Sequence, residues 1–318
     1  MRLAVIYNTC GIKKSGNAGN YIRSLHSIIG QLDCDKRVCV SSCKNTWEDR
    51  HVLLDEFKGS GMSMSVVDEV WPVNVTFNMA CRAMEDHFGR FDGYCYIDSG
   101  IILPNPHCLS QLVSLHMGAR AAMTAARVST DSGTFLWFKK GNHESDESGQ
   151  GELFASGPLI IPIGKTVNLH MQIFSDELFV AFNRRLMPDI FASFCTESVF
   201  SFMCSAIGRD FVVSDKVVVD HSHGMDEGSA GFNPRGLPFP AWQHLIPQAN
   251  RSILDIINDP EAHLSGFGYE ECQGVKLHNP ECYSGNKCND PKRLLDFMVK
   301  NLLIDEQHYR NMQVTFLK

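Results

Sequence analysis

The residues best suited to chemistry are a carboxylate and two imidazoles placed at the ends of apolar runs. Tyr94, Cys95, Tyr96 and Ile97 form a short β-prone run that stops at Asp98, followed at once by Ser99 and Gly100. A buried strand of this kind delivers a carboxylate to its C-terminal edge. Open α/β sheets hold their ligands at that edge, and a carboxylate there can hold a divalent metal over phosphates. Gly100 lets backbone or ligand come close, and Pro104 and Pro106 break the strand before a helix near Leu109. Asp is also a common turn residue, so the meaning of Asp98 depends on what the rest of the chain brings to it.

The second such stretch runs from Phe194 to Gly224. Thr196 reads as an N-cap, Glu197 opens a helix with apolar residues Val199, Phe200, Met203 and Ile207, and Gly208 stops it. Two strands are expected next, Phe211 to Val213 and Val217 to Val219, separated by a turn at Ser214 and Asp215. They end in Asp220-His221-Ser222-His223. In extended chain His221 and His223 share a face, a pair that can hold a metal. A Glu in a first helical turn is also what the helix dipole favours, so Glu197 has a structural as well as a chemical reading.

Twelve cysteines are present. Cys10, Cys34, Cys39, Cys43, Cys81, Cys95, Cys108, Cys195 and Cys204 are scattered through apolar elements and read as buried thiols. Cys272, Cys282 and Cys288, with His278 among them, are spaced more loosely than the tight pairs of a zinc site. Sequons at Asn74 and Asn250 matter only in a secreted chain.

The elements that must position these groups follow a simple rhythm. Leu3 to Tyr7 is an opening strand ending at Asn8 in the polar segment NTCGIKKSGNAGN, and Tyr21 to Ile29 has the spacing of a helix with one buried face. Asp35 to Ser41 supplies a second strand, Asp49 to Phe57 a helix, Val66 to Val70 a third strand and Phe77 to Phe88 a third helix. Strand and helix in alternation imply a parallel sheet covered on both faces. After the strand ending at Asp98, a helix over Leu109 to His116 leads to strands over Ala121 to Val128 and Thr134 to Phe138. A polar loop from Lys139 to Glu152 and a short run over Leu159 to Ile163 follow.

With 318 residues and a formal charge of −7, the chain can bury a large core but lacks the clustered cations of a nucleic-acid or anionic-membrane surface. No signal segment and no run of about 18 apolar residues is found, so a cytoplasmic chain without a transmembrane segment is expected. A Walker loop and the dinucleotide fingerprint GxGxxG are both missing.

In order along the chain, these pieces resemble a nucleotide-sugar-dependent glycosyltransferase of the GT-A fold, closest in pattern to the inverting enzymes of family 2. The opening VIYNTCGIKKSGNAGNYIRSLHSIIGQ is similar to that family's first strand, Tyr-Asn turn and helix, with Tyr7, Asn8, Leu25, Ser27, Ile28 and Gln31 matching. PVNVTFNMACRAMEDHFGRFDGYCYIDSGIILPNPHCLSQLV resembles the Asn-containing helix, glycine and Asp-x-Asp strand, and TESVFSFMCSAIG resembles the helix that bears the catalytic acid. The resemblance spans Leu3 to about Gly224. It departs from the family where Gly100 stands in place of the second Asp and Ser198 in place of the acid after Glu197.

The resemblance implies a Rossmann-like α/β architecture: a mostly parallel central sheet with helices on both faces. Residues 1–224 would form the catalytic domain, divided into a nucleotide-sugar half (1–113) and an acceptor half (114–224). Residues 225–318 lie outside the resemblance and are expected to form a helical and loop extension on the acceptor side, closed by a helix over Arg293 to Leu303 with Tyr309. The resemblance further implies a UDP- or GDP-sugar donor, a glycan or glycoconjugate acceptor, and Mn2+ or Mg2+ held by Asp98 with His221 or His223. Tyr7, Asn8, Asn78, Asp98, Ser99 and Gly100 would line the donor site and Glu197 would be the base. Two other classes stay open. One is a sugar-nucleotide nucleotidyltransferase, for which Lys13 and Lys14 beside Ser15-Gly16 are a faint phosphate loop. The other is a catalytically silent binding protein on the same fold.

Overall fold

The first strand, β1 (Arg2–Cys10), lies in the middle of the sheet. Its residues 3–7 are wholly buried: Leu3, Val5 and Tyr7 enter the core on one face of the sheet, Ala4 and Ile6 the core on the other. A strand buried on both sides has no polar face, which is why this stretch reads as a continuous apolar run. The computed structural model describes residues 1–10, 18–43, 47–67, 73–130, 133–135, 157–161, 170–182, 184–186, 200–221 and 315–317.

Around β1 lie β2 (Asp35–Cys43), β3 (Ser63–Val67) and β4 (Gly93–Ile97), all parallel to their neighbours in the order β3-β2-β1-β4. Helices α1 (Ala18–Ile29), α2 (Trp47–Glu56) and α4 (Cys108–Ala119) bring Leu25, Ile28, Leu53, Leu109 and Leu112 to the face that carries Leu3, Val5 and Tyr7. The opposite face receives Phe77, Ala80 and Met84 of α3 (Val73–Phe88), Leu178 and Phe179 of α5 (Asp176–Ala181), and Phe200 and Met203 of α6 (Phe200–Ala206).

Beyond β4 the sheet continues through β8 (Met171–Ser175), β5 (Met123–Thr130), β9 (Phe211–Asp220) and β7 (Leu159–Ile160), with β6 (Gly133–Phe135) paired to β5. β8 runs antiparallel to both β4 and β5, while β5 and β9 are parallel. The start of β8 therefore lies at the same sheet edge as the ends of β4, β5 and β9, and this reversal shapes the site.

Three expectations need correction. β3 begins three residues earlier than its apolar residues suggest, because Ser63 and Ser65 are themselves buried beside β2. β9 is one strand where two were expected. The Ser214 hydroxyl accepts the amides of Lys216 and Val217 at 3.1 and 3.0 Å, and the pairing with β5 shifts register between Ala125 and Arg127, so the polar Ser-Asp pair is absorbed without a turn. β8 and α5 were not anticipated; Ser175 caps α5 by accepting the Leu178 amide at 3.1 Å. Of the extension, 225–314 and its expected closing helix lie outside the described residues. Residues 315–317 form β10 (Thr315–Leu317), antiparallel to β3 at the edge of the first half.

His116 in α4 is 4% exposed and its Nδ1 lies 2.9 Å from the Thr124 hydroxyl. Burial pushes its imidazole down to about 4 from an ordinary 6.5. Above pH 6.5 the ring is neutral folded or unfolded and its contribution to stability is complete. Below that, the unfolded chain takes up a proton that the folded chain refuses, so stability falls until about pH 4, by about 3 kcal/mol in all for this group. Urea unfolding of the His116→Gln variant should accordingly lose less stability between pH 7 and pH 4.5 than the parent. Equal losses would mean that the ring titrates normally.

Candidate metal centre

The loop after β4 is held from below before any ligand is considered. On α1, Ser24 donates from its hydroxyl to the Ile101 carbonyl, and the Ser27 hydroxyl accepts the Leu103 amide at 3.1 Å. Gln31 donates to the Asn105 carbonyl at 2.8 Å, while its Oε1 accepts the Leu109 amide at 2.9 Å, satisfying a first-turn N–H of α4 that has no partner within the helix. These bonds give the matched Ser27 and Gln31 a physical reason. Gly100 sits at φ +78°, a backbone conformation that favours glycine, and its amide donates to the buried Tyr7 hydroxyl at 3.2 Å. Burial, opposed by the Ser24 and Gly100 hydrogen bonds, pushes the Tyr7 phenol well above its usual range, so it stays neutral. Tyr7→Phe should leave the Gly100 amide unpaired and cost about 1–3 kcal/mol in chemical denaturation; an unchanged unfolding midpoint would remove Tyr7 from the support of this loop.

Asp98 leaves the end of β4 with its amide bonded to the His170 carbonyl at 2.8 Å. Its Oδ1 accepts the Tyr96 hydroxyl at 3.1 Å and the Ser99 amide at 2.9 Å, which orients the carboxylate. Oδ2 faces Nδ1 of His170 at 3.7 Å, beyond hydrogen-bonding distance. His221 arrives from β9: Ile102 and Asp220 exchange backbone hydrogen bonds of 2.8 and 2.9 Å, and the next amide, that of His221, donates to the Ser129 carbonyl at 2.8 Å. The His170 and His221 rings are 4.6 Å apart at 52°.

One donor atom from each of Asp98, His170 and His221 lies within 4.8 Å of the other two. The His221 residue is 6% exposed, and the side chains of His170 and Asp98 are 16% and 30% exposed. Nδ1 of both histidines is buried and has no hydrogen-bond partner among the described residues. Buried imidazole nitrogens are seldom left so, and two of them beside a carboxylate suit a cation. Ligands on opposite sides of such an ion stand about 4 Å apart, so small shifts would close the three groups onto it. Electrostatics agree. Burial pushes the Asp98 carboxyl up, but His170, His221 and the Ser99 amide outweigh it and hold the group below its usual value. Burial, aided by His170, pushes His221 down against Asp98, the Ser99 backbone and Asp220, which favours the neutral form that binds metals.

The other expected site residues are placed as follows. Asn8, half-buried, follows Tyr7, which pairs with Ile97, so it stands beside Asp98 at the C-terminal edge of the sheet, with its Oδ1 accepting the Thr76 hydroxyl at 3.4 Å. Ser99 is half-exposed beside Asp98. Tyr7 and Asn78 are wholly buried: Tyr7 supports the loop from under Gly100, whereas the Asn78 Oδ1 accepts the Leu186 amide at 3.0 Å. Glu197, His223 and the group Cys272, Cys282, Cys288 and His278 lie outside the described residues. His170 was missed. Its one signal is a histidine directly ahead of the short, mostly apolar stretch Met171-Gln172-Ile173-Phe174, and only the antiparallel sense of β8 turns that position into one at the ligand edge.

No protein-family model matches the sequence, and no curated protein matches it significantly. Among solved structures, the fold is similar to that of the mannosyltransferase PcManGT from Pyrobaculum calidifontis in complex with GDP-Man and Mn2+. Identity is 14% and the TM-score 0.50, over 72% of this chain and 59% of that one. It is also similar to TarS 1-349 from S. aureus in complex with UDP, at 15% identity and TM-score 0.49, over 70% of this chain and 60% of that one. The chain thus covers about 60% of the length of each of these structures. Its architecture is α/β with a large central sheet, and its fold is the GT-A fold of glycosyltransferases.

Proposed function

We propose that the chain is a glycosyltransferase, family 2-like, which moves a sugar from a UDP- or GDP-sugar to an acceptor hydroxyl on a glycan. The observation that carries this reading is the convergence of Asp98, His170 and His221 at the C-terminal edge of a GT-A sheet, beside Asn8. The mannosyltransferase of similar fold holds GDP-Man and Mn2+, which favours a sugar nucleotide and a divalent ion here. Residues 1–224 would be the catalytic domain and 225–314 would shape the acceptor side, while β10 returns to the edge of the first half.

A bound Mn2+ or Mg2+ would neutralise charge on the donor's diphosphate. The chain's own residues would do the rest. Asp98 and His221 would hold the ion, His223 being the alternative imidazole that the resemblance suggests. Asn8 and Ser99 face the nucleotide, Tyr7 holds the Gly100 loop in place, and Asn78 ties α3 to Leu186. Glu197 takes the proton from the acceptor hydroxyl as that oxygen attacks the anomeric carbon, and the nucleoside diphosphate departs from the opposite side with inversion. Among the described residues Cys34, Cys39, Cys81, Cys95, Cys108 and Cys204 are free thiols, and burial pushes Cys39 up to about 12. Free buried thiols suit a reducing compartment such as the cytoplasm. No helix among the described residues is long and apolar enough to cross a membrane.

A second reading, a sugar-nucleotide-binding protein without catalysis, is favoured by Gly100 in place of an acid. Incubation of the purified chain with a panel of sugar nucleotides in Mn2+ and in Mg2+ separates the two. Slow hydrolysis of one donor is the expected result, whereas binding without turnover would support the silent protein.

A further inference from the structure

We infer that His170 supplies, from the start of β8, the third protein ligand missing from Asp98-Ser99-Gly100, so that the centre is preformed, loads Mn2+ before any nucleotide and prefers it to Mg2+. The inference rests on the reading that Asp98 holds a metal, and it is independent of which sugar is transferred.

A glycine with φ +78° at position 100 offers no donor, and the Tyr7 and Ser24 contacts fix the loop around it. A further ligand must therefore come from another element. β8 provides one because it runs antiparallel to β4: Ile97 pairs with Met171, and the preceding residue on β8 meets the following residue on β4. The backbone bond from Asp98 to the His170 carbonyl fixes that meeting. The Ile102–Asp220 pair and the His221–Ser129 bond bring the third group in the same way. All of these are bonds between main-chain atoms and none involves a metal, so the fold itself gathers the ligands. A centre assembled in this way does not need a diphosphate to complete it. By contrast, a single carboxylate with one imidazole would hold an ion weakly until nucleotide oxygens joined.

The donor set decides the ion. Mg2+ favours oxygen ligands, keeps several waters and is usually bound through one or two carboxylates. Two imidazole nitrogens with one carboxylate oxygen instead suit first-row transition ions. Mn2+ accepts both nitrogen and oxygen ligands and would leave positions free for two diphosphate oxygens.

The test is a titration of Mn2+ into the metal-free full chain without nucleotide, with free Mn2+ counted by electron paramagnetic resonance. One bound Mn2+ per chain is expected, retained in about a hundredfold excess of Mg2+. His170→Ala should weaken binding by at least about tenfold. His170→Asp, which restores a carboxylate at the third position, should bind Mn2+ and let Mg2+ compete. Circular dichroism of both variants checks their folding, and the Asp variant keeps the test informative should the Ala variant unfold. Binding that requires added UDP or GDP, parent-like affinity in His170→Ala, or equal competition by Mg2+ in the parent would each overturn the inference. The donor reading fails separately: Mn2+ bound without nucleotide while no sugar nucleotide is bound or hydrolysed upholds this centre and removes that reading.

Discussion

Replacing Asp98 with Asn should lower sugar transfer by at least about 100-fold, a loss on the scale of removing a principal charge-stabilising group, and leave the fold in place. Asn keeps an oxygen that can accept both the Tyr96 hydroxyl and the Ser99 amide, the two bonds that orient the side chain. What changes is the position of Oδ2, which faces His170. An amide nitrogen there has neither the charge nor the lone pair that a cation requires. Since the side chain is 30% exposed and contributes little packing, the unfolding midpoint should move little. Turnover measured in saturating Mn2+, beside a urea melt of the same preparation, checks both halves. Near-parental turnover would place the donor site elsewhere.

Glu197→Gln should bind donor normally and lose on the order of 10²–10⁴ in transfer rate. The substitution keeps size and most hydrogen bonding but removes basicity. The residue stands three positions before α6, whose Phe200 is buried with its ring 5.4 Å from that of Phe174 on β8, the strand that begins beside His170. Donor affinity and single-turnover transfer measured on one preparation separate binding from chemistry. Parental transfer by the Gln variant would make Glu197 a helix-start acid and pass the role of base to Asp226 or Glu227.

The parts of this fold written locally were legible. β1 and β4 are buried on both faces and so appear as unbroken apolar runs, and α1 shows its buried stripe through Tyr21, Leu25 and Ile28. Asp98 could be placed at a strand end because an apolar run stops there. Features that depend on tertiary pairing were not legible. Ser63 and Ser65 look like loop residues until β2 and β10 pair on either side of β3. Ser214-Asp215 look like a turn until the Ser214 hydroxyl is seen to accept two amides. His170 is the clearest case: its chemistry depends on the direction of β8, and direction leaves no mark on a five-residue strand. His221 was found because two imidazoles two residues apart draw notice, yet its position beside Asp98 is made by the Ile102–Asp220 bridge, which sequence does not show.

The most direct test of the account is calorimetric titration of UDP and of GDP into the parent chain and into Asp98→Asn, each with Mn2+ and with chelator. One of the two nucleotides should bind the parent at a single site in Mn2+, with at least about tenfold loss in chelator and in the variant. Binding unaffected by both changes, or no binding of either nucleotide, would contradict a metal-assisted nucleotide-sugar site at the end of β4.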